Sequence, residues 1–247
     1  MYRLIWFQHV HKAAGTLVVN LAKENGEVLF KNNANGNPFD ENGDRLELWN
    51  YSAEELTDFL DQCEKDGVTF VATEHGSPDF RLLSEDSRVF LLTTLREPFS
   101  RAVSNFNHAY YAGYTESKNL DGFLSENRFF MTDNFYTRTF TQKEQFPLVE
   151  LNYSDVDDAL NMIRLFDLVL KIGEGDLVEK LSKEFNWRNV DVDSHPTFGD
   201  PWKVWNLLKK RRLYRLLRYL LRLDAPGDYS VLEDRYELDN RLFNEIE

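Results

Sequence analysis

The sequence from Leu4 to Thr16 reads Leu-Ile-Trp-Phe-Gln-His-Val-His-Lys-Ala-Ala-Gly-Thr. Its first four residues are apolar with little alternation, which predicts a strand buried on both faces. A helix is expected to begin at Gly15, where the small residue lets an anion approach the backbone and the free N–H groups attract negative charge. The stretch therefore predicts a strand–turn–helix phosphate site formed by Lys12, Ala14, Gly15 and Thr16. The alternative is an ordinary turn with a solvated lysine.

A second segment repeats this plan. Residues 91–104 read Leu-Leu-Thr-Thr-Leu-Arg-Glu-Pro-Phe-Ser-Arg-Ala-Val-Ser. Arg96 is expected at the end of a strand and Ser104 about two helical turns later, so a guanidinium and a hydroxyl can converge on one phosphate. Arg101 either joins them or pairs with an acid, and the alternative for Arg96 is that it only caps the sheet. Two such sites in one chain predict a ligand that is phosphorylated at both ends.

Strands alternate with helices along the chain, which predicts an α/β fold. We expect a three-layer domain with a central parallel sheet and a P-loop-like nucleotide site at the carboxyl ends of its strands. No repeat or linker divides the sequence, so residues 1–247 are interpreted as a single domain. The predicted strands are residues 2–7, 68–72, 88–93 and 166–172.

A polar turn containing Glu74 and His75 follows the second predicted strand. Because this turn lies at the same edge of the sheet, its side chains are candidates for proton transfer. A histidine titrates near neutrality and suits a general base, so His75 is the first candidate and Glu74 the second. The alternative for His75 is a turn residue bonded to the backbone. Among the other histidines, His9 lines the floor of the site or the core, His108 is expected to be packing, and His195 is a weak candidate.

These motifs resemble those of the sulfotransferases. Residues 11–16, His-Lys-Ala-Ala-Gly-Thr, are similar to their 5′-phosphosulfate loop, H-x-P-K-T-A-G-T-S, and residues 96–104 to their 3′-phosphate motif, R-[DE/N]-P-x-x-R-x-x-S. Residues 133–140, 166–174 and 236–243 resemble the branch that includes uronyl 2-O-sulfotransferases and other carbohydrate sulfotransferases. Within the first of these stretches, Asn134, Thr137 and Arg138 either approach the ligands or fix a loop to the sheet.

The resemblance implies a PAPS-dependent O-sulfotransferase, with 3′-phosphoadenosine 5′-phosphosulfate (PAPS) as donor and no metal. It implies that Lys12, Gly15 and Thr16 bind the 5′ end of the donor, that Arg96 and Ser104 hold its 3′-phosphate, and that a histidine such as His75 takes the acceptor proton. The acceptor would be a hydroxyl of a sugar or a small metabolite.

The chain also departs from the family's pattern in its first loop. His11, Ala13 and Leu17 stand where the family has proline, threonine and serine, which reduces the hydroxyl groups around the phosphosulfate. Two other functions remain open. One is a P-loop-type phosphotransferase that uses ATP, although Lys12 precedes the glycine and a Walker A lysine follows it. The other is a non-catalytic nucleotide-binding adaptor.

Composition limits the class of protein. Lys+Arg 29 against Asp+Glu 42 gives a net charge of −13, which disfavours nucleic-acid binding. Cys63 is the only cysteine, so an intrachain disulfide and a cysteine zinc site are excluded. The opening residues do not form a signal peptide, and we expect a cytoplasmic protein. The sequence leaves the oligomeric state open.

The segment 202–223 is predicted to form one long helix. It holds eight lysines and arginines and no acid, so the rest of the chain carries 21 basic against 42 acidic residues, or −21. Such segregation indicates either contact with a membrane surface or a polyanion, or a helix packed through residues such as Trp205 and Leu208.

Overall fold

A computed structural model describes residues 2–192 and 198–246, and His195 lies outside these ranges. The strands are β1 (Leu4–Gln8), β2 (Asn33–Ala34), β3 (Asn37–Pro38), β4 (Phe70–Thr73), β5 (Val89–Leu95) and β6 (Leu168–Lys171). β1, β4, β5 and β6 form one parallel sheet in the order β4-β1-β5-β6, and β2 pairs with β3 in a small hairpin. The four strands that were predicted from the sequence are therefore confirmed.

Twelve α-helices connect these strands in the described part of the chain. They are α1 (Gly15–Glu24), α2 (Ala53–Asp66), α3 (Phe80–Glu85), α4 (Pro98–Ala112), α5 (Leu120–Leu124), α6 (Phe135–Phe140), α7 (Tyr153–Ile163), α8 (Leu177–Phe185), α9 (Pro201–Lys209), α10 (Leu213–Leu220), α11 (Val231–Arg235) and α12 (Glu237–Glu245). Short 3₁₀ turns occur at Leu48–Asn50 and Phe129–Met131. Within the described residues, none of the helices combines the length and the apolar character that crossing a bilayer requires.

The central strand β1 shows how the layers form. Leu4 and Trp6 pack into one hydrophobic cluster, which includes residues of α2, α3, α4 and α7. Ile5 and Phe7 point the other way into a second cluster with residues of α1 and α8. Successive side chains of a strand point to opposite faces, so a strand that is apolar throughout needs cover on both sides. The α/β fold with three layers around a parallel sheet is confirmed.

The prediction of one helix over residues 202–223 is wrong. The chain forms α9 and α10 instead, and the break falls at Lys210–Arg212, where Arg211 has a φ of 54°. Both helices pack against α4: the Asn206 side chain donates to the carbonyl of Ala112 (2.7 Å), and the Arg215 guanidinium donates to that of Tyr110 (2.9 Å). A straight helix could not follow the end of α4 in this way, so tertiary contacts override a helical pattern that continues through the break.

Two distant helices cap each other beside the sheet. Asp239 at the start of α12 accepts hydrogen bonds from the backbone N–H groups of Tyr136 (2.9 Å) and Thr137 (2.8 Å) in α6. In return, the side chain of Asn134 accepts from the N–H of Leu238 (3.0 Å). Of the two roles left open for this stretch, the contacts of Asn134 and Thr137 are those of loop fixing.

Arg138 plays a similar part in the same stretch. Its guanidinium pairs with Asp133 (2.8 Å) and donates to the carbonyl of Val149 (2.9 Å), and its side chain is 3% exposed. These bonds join the segment before α6 to the segment before α7. Like Asn134 and Thr137, Arg138 therefore fixes a loop.

Candidate anion-binding cleft

The loop between β1 and α1 has an unusual backbone. Lys12 and Ala14 both have a positive φ, at 66° and 62°, although neither is a glycine. The carbonyl of Ala13 between them accepts a hydrogen bond from the Thr94 hydroxyl of β5 (2.5 Å), which ties the loop to the neighbouring strand. Backbones that alternate in handedness turn successive N–H groups toward one side and form concave sites for anions.

Gly15 is required here by a side chain inside the protein. A Cβ atom at this position would lie 1.8 Å from Cδ2 and from Nε2 of His9. The His9 ring is 4% exposed and stacks on Phe7, with 5.5 Å between the ring centroids and 11° between the planes. The sequence had suggested that glycine serves the approach of an anion. The structure shows that it also makes room for the imidazole beneath the loop.

The end of β5 is fixed just as firmly. The N–H of Arg96 donates to the hydroxyl oxygen of Tyr136 (3.1 Å), and that hydroxyl donates to the carbonyl of Arg96 (2.5 Å). Glu97 caps α4 by accepting from the N–H groups of Phe99 (2.8 Å) and Ser100 (2.7 Å). Pro98 occupies the first turn of the helix, where it needs no donor. The backbone around Arg96 is therefore rigid.

Both loops open into one cleft of about 910 Å³ at the carboxyl edge of the sheet. The predicted residues that line it are His9, Lys12, Ala14, Gly15, Thr16, Glu74, Arg96 and Ser104. Among the residues that the structure describes, the side chains of Lys12, Thr16, Arg96 and Ser104 form no hydrogen bond or ion pair with one another or with any other group. Cations and hydroxyls without internal partners in a shared cleft are suited to bind an anion.

Three cations, Lys12, Arg96 and Lys203, line the cleft together with two carboxylates, Glu74 and Asp200. Burial lowers the pKa of Lys12 to about 8, and the nearby charges of Lys203 and Arg96 contribute to this shift while Glu74 opposes it. Lys203 comes from α9, is 2% exposed and lies 4.0 Å from Asp200, and burial lowers its pKa as well. The sequence places Lys203 in the basic segment 202–223, whose role it leaves open, and the structure brings this residue into the cleft.

Glu74 is held by two histidines. Its Oε1 lies 2.8 Å from Nδ1 of His11 and its Oε2 lies 3.6 Å from Nδ1 of His9. Burial acts to raise the pKa of Glu74, but the charge of His9 and the hydrogen bond from His11 outweigh it and lower the pKa to about 2. The carboxylate is therefore ionised at neutral pH and only weakly basic.

The second ring nitrogen of His11 also faces an acceptor. Nε2 lies 3.1 Å from Oδ1 of Asn105, whose amide nitrogen donates to the carbonyl of Phe130 (3.0 Å) and so fixes which end of the amide faces the ring. With acceptors on both sides, a His11 ring that carries both protons satisfies both contacts. The residue that replaces the family's proline thus supports Glu74.

His75 lies beside the cleft and is not part of its lining. It lines a neighbouring cavity of about 810 Å³ together with the aromatic residues Trp49, Phe129, Phe130 and Phe146. Phe130 stands between the two spaces: its ring centroid is 4.0 Å from that of His11 and 5.2 Å from that of His75. Burial, with the charge of Arg45, lowers the pKa of His75 to about 4. Its imidazole is therefore neutral at pH 7.

His108, which is expected to be packing, does pack against His11 and Tyr114, but it also lines the cleft. Its ring meets that of His11 edge-on, with 6.5 Å between centroids, and burial followed by the charges of Lys12 and Lys203 lowers its pKa to about 3. Helical spacing could have revealed it, since residue 108 lies one turn beyond Ser104 on the same face of α4.

Arg101 does not take either of the roles expected for it. It is fully buried, and its guanidinium lies 4.4 Å from the ring centroid of Phe135, 5.5 Å from that of Tyr136 and 5.7 Å from that of Tyr236. It donates to the carbonyl of Phe130 (3.0 Å). The face of α4 that carries Arg101 turns toward α6 and α12, so this cation belongs to an aromatic cage and not to the cleft.

The similarity of this chain to known proteins is found among solved structures. No protein-family model and no curated protein matches the chain. Among solved structures, the chain is similar to a retinol dehydratase crystallised with androsterone and the inactive cofactor PAP, at 13% sequence identity and a TM-score of 0.32. That alignment covers 91% of this chain and 82% of the other.

Proposed function

We propose that this protein is a sulfotransferase that moves the sulfuryl group of PAPS to an acceptor hydroxyl. The observation that carries this proposal is the pair of loops at the ends of β1 and β5. They bring Lys12 and Arg96, neither paired with a carboxylate among the described residues, into one cleft with the hydroxyls of Thr16 and Ser104. A donor with phosphate groups at its 3′ and 5′ positions matches such an arrangement, because each loop can hold one of them.

Each end of the donor has its own residues in this proposal. Lys12 and the backbone N–H groups of Ala14 to Thr16 would hold the 5′-phosphosulfate, and Arg96 with Ser104 would hold the 3′-phosphate. This assignment is supported by the resemblance of the first loop to the 5′-phosphosulfate motif of sulfotransferases and of the second to their 3′-phosphate motif. Lys203 adds a third charge that sequence motifs alone did not supply.

The reaction balances without a further reactant. The acceptor oxygen forms a bond to sulfur while the bond between sulfur and the bridging phosphate oxygen breaks, and the acceptor proton passes to a base. Adenosine 3′,5′-bisphosphate (PAP) leaves with the bonding electrons, and Lys12 would stabilise the charge that develops on its phosphate. The protein's main contribution is alignment of the two oxygens and stabilisation of this charge.

We assign the base to His75 and the acceptor to the cavity that His75 lines. Both groups are in their proton-accepting forms at pH 7, but the pKa of His75 is about 4 and that of Glu74 is about 2, so His75 is the stronger base of the two. The cavity combines aromatic faces with the polar side chains of Arg45, Arg128 and Glu144, which suits the ring and hydroxyls of a sugar or a small metabolite. The Phe130 ring lies between this cavity and the cleft, so it would have to turn aside for the acceptor oxygen to reach the donor.

Transfer of radiolabel from PAPS to a panel of acceptors tests this function. The panel contains monosaccharides, uronic acids, phenols and lipid-linked sugars, and the assay is run without magnesium. Label in an acceptor supports sulfuryl transfer and identifies the acceptor class. Binding of PAP with no transfer to any acceptor would favour the non-catalytic adaptor, and phosphate transfer from ATP with magnesium would favour the phosphotransferase.

The first prediction concerns the pH dependence of donor binding. In the protein without nucleotide the pKa of Lys12 is about 8, so Lys12 loses its charge as the pH rises from 7 to 9. The charged form is the one that attracts phosphate. Affinity for PAP should therefore fall above pH 8, by up to about tenfold for each pH unit. Calorimetry across this range checks it. The arginine of the Lys12→Arg variant keeps its charge over this range, so the PAP affinity of that variant should not fall with pH. An equal fall in both proteins would show that Lys12 does not bind the phosphate.

The second prediction separates the two ends of the donor. Arg96→Ala should weaken PAP binding about 10- to 100-fold, because a hydrogen bond to a charged group contributes about 1.5–3 kcal/mol. Affinity for 5′-AMP, which lacks the 3′-phosphate, should change little. Arg164→Ala, at an exposed arginine that directly follows α7, serves as the matched control. Equal losses for both nucleotides would contradict the assignment of Arg96 to the 3′-phosphate.

A further inference from the structure

The outer faces of α9 and α10 carry an unusual set of exposed apolar side chains. Nine of the fifteen exposed large apolar residues in the described part of the chain lie between residues 202 and 223. They are Trp202, Trp205, Leu208, Leu213, Tyr214, Leu217, Leu220, Leu221 and Leu223, with 43–67% of each residue exposed. We call this set the α9–α10 face. Exposed apolar residues that are scattered singly need no explanation, but a contiguous set marks an interaction site.

The packing of the two helices explains why this face points outward. On α10, the buried residues Arg215 and Tyr219 face α4, and Arg215 donates to the carbonyls of Thr115 (2.8 Å) and Ser117 (2.9 Å). The stripe 213, 214, 217, 220 and 221 follows helical spacing on the opposite side. The expectation that Trp205 and Leu208 would pack into the protein is wrong, because the polar anchors face inward and the apolar stripe faces solvent.

Charge surrounds the same face. Lys209, Lys210, Arg211 and Arg222 are exposed at the ends of the two helices, and no acidic residue occurs from 201 to 223. The remaining chain carries −21. A negatively charged surface would repel most of this protein and attract only this side, so the charge distribution also fixes an orientation.

We propose that the α9–α10 face docks on an anionic lipid bilayer, with the apolar stripe in the interface and the lysines and arginines at the headgroups. Leucine and tryptophan on one side of a helix, with basic residues around them, are typical of helices that lie in the membrane surface. A second copy of this chain is a poorer occupant, because pairing two such faces would bring their cations together. Trp202 and Lys203 also line the anion-binding cleft, so docking would bring the mouth of the cleft to the membrane surface.

Flotation of the full chain with vesicles tests this proposal. Vesicles of phosphatidylcholine and phosphatidylglycerol in equal parts should carry the protein, and vesicles of phosphatidylcholine alone should not. Trp205→Gln and Leu217→Gln should each reduce the bound fraction, while Val149→Gln, at a similarly exposed residue elsewhere, should not. Lys209→Gln and Arg222→Gln should each lower the partition coefficient about fivefold, the factor for about 1 kcal/mol per cation. Lys183→Gln is their control.

Several outcomes would overturn the proposal. One is absence of binding to the anionic vesicles, and another is equal binding by the wild type and by the four α9–α10 variants. A dimer in solution that Leu217→Gln dissociates, with no vesicle binding, would assign the face to a second copy. The substituted side chains are exposed, so circular dichroism and the melting temperature should be unchanged in each variant. None of these results depends on the proposed transfer activity.

Discussion

Replacing Gly15 with alanine is expected to lower the free energy of unfolding by about 3 kcal/mol or more and to abolish nucleotide binding. The new Cβ atom would lie 1.8 Å from two atoms of the His9 ring, so the alanine could be accommodated only if this buried ring left its stack on Phe7. Overpacking of a rigid core typically costs about 1–3 kcal/mol, and a contact this short belongs at the upper end or beyond. Denaturant unfolding and calorimetry with PAP measure the two effects.

A double variant identifies the cause. If the His9 ring is what excludes a side chain at position 15, Gly15→Ala combined with His9→Ala should be more stable than Gly15→Ala alone, although each single change is destabilising. Ala14→Gly is the matched control in the same loop. It relieves a positive φ of 62° and should stabilise the protein by about 1 kcal/mol. A double variant no more stable than the single one would show that the clash is not the reason for the glycine.

Replacing His75 with alanine is expected to lower turnover by about 100- to 10,000-fold, the usual contribution of a general base. Affinity for PAP should be nearly unchanged, because His75 lines the acceptor cavity and not the anion-binding cleft. Steady-state kinetics with an acceptor that the wild-type protein sulfates, together with calorimetry, separate the two quantities. Unchanged turnover in His75→Ala would show that another group takes the proton.

The pH profile provides an independent check on the same residue. The base must be neutral to act, and the pKa of His75 is about 4, so turnover should fall only as the pH drops toward 4. Because the charge of Arg45 contributes to that low pKa, Arg45→Ala should move the acid limb to higher pH. A limb that stays in place would mean that a different group controls it. A purely structural role for His75 would not produce this shift.

The fold could be predicted from the sequence because its signals are local. Four buried strands, each followed by a turn and a helix, appear as apolar runs with flanking polar residues, and Pro98 marks the start of α4. The residues proposed to bind the donor could be predicted for the same reason: Arg96 directly follows β5, and Lys12 lies in the loop that follows β1. Parallel strands bring such positions to one edge without any further information.

The remaining features depend on contacts between distant parts of the chain. Lys203 lines the cleft because α9 and α10 pack against α4. The sequence around Lys203 has the pattern of one continuous helix and does not show this packing. Arg101 leaves the cleft because the aromatic rings around it come from α6 and from Tyr236. These aromatic residues are far from Arg101 in the sequence. Helical spacing places Arg101 within one turn of Ser104, but it does not show that the two side chains face different parts of the protein.

The pairing of two phosphate loops is tested most directly by thermal unfolding with adenosine 3′,5′-bisphosphate, 5′-AMP and ATP, each without magnesium. A ligand that binds only the folded state raises its stability by about 2.7 kcal/mol at a concentration of 100 times the Kd. We expect the bisphosphate to raise the melting temperature well above the other two nucleotides, and Arg96→Ala to remove this advantage. No shift with the bisphosphate, or a larger shift with ATP once magnesium is added, would contradict the proposed PAPS site.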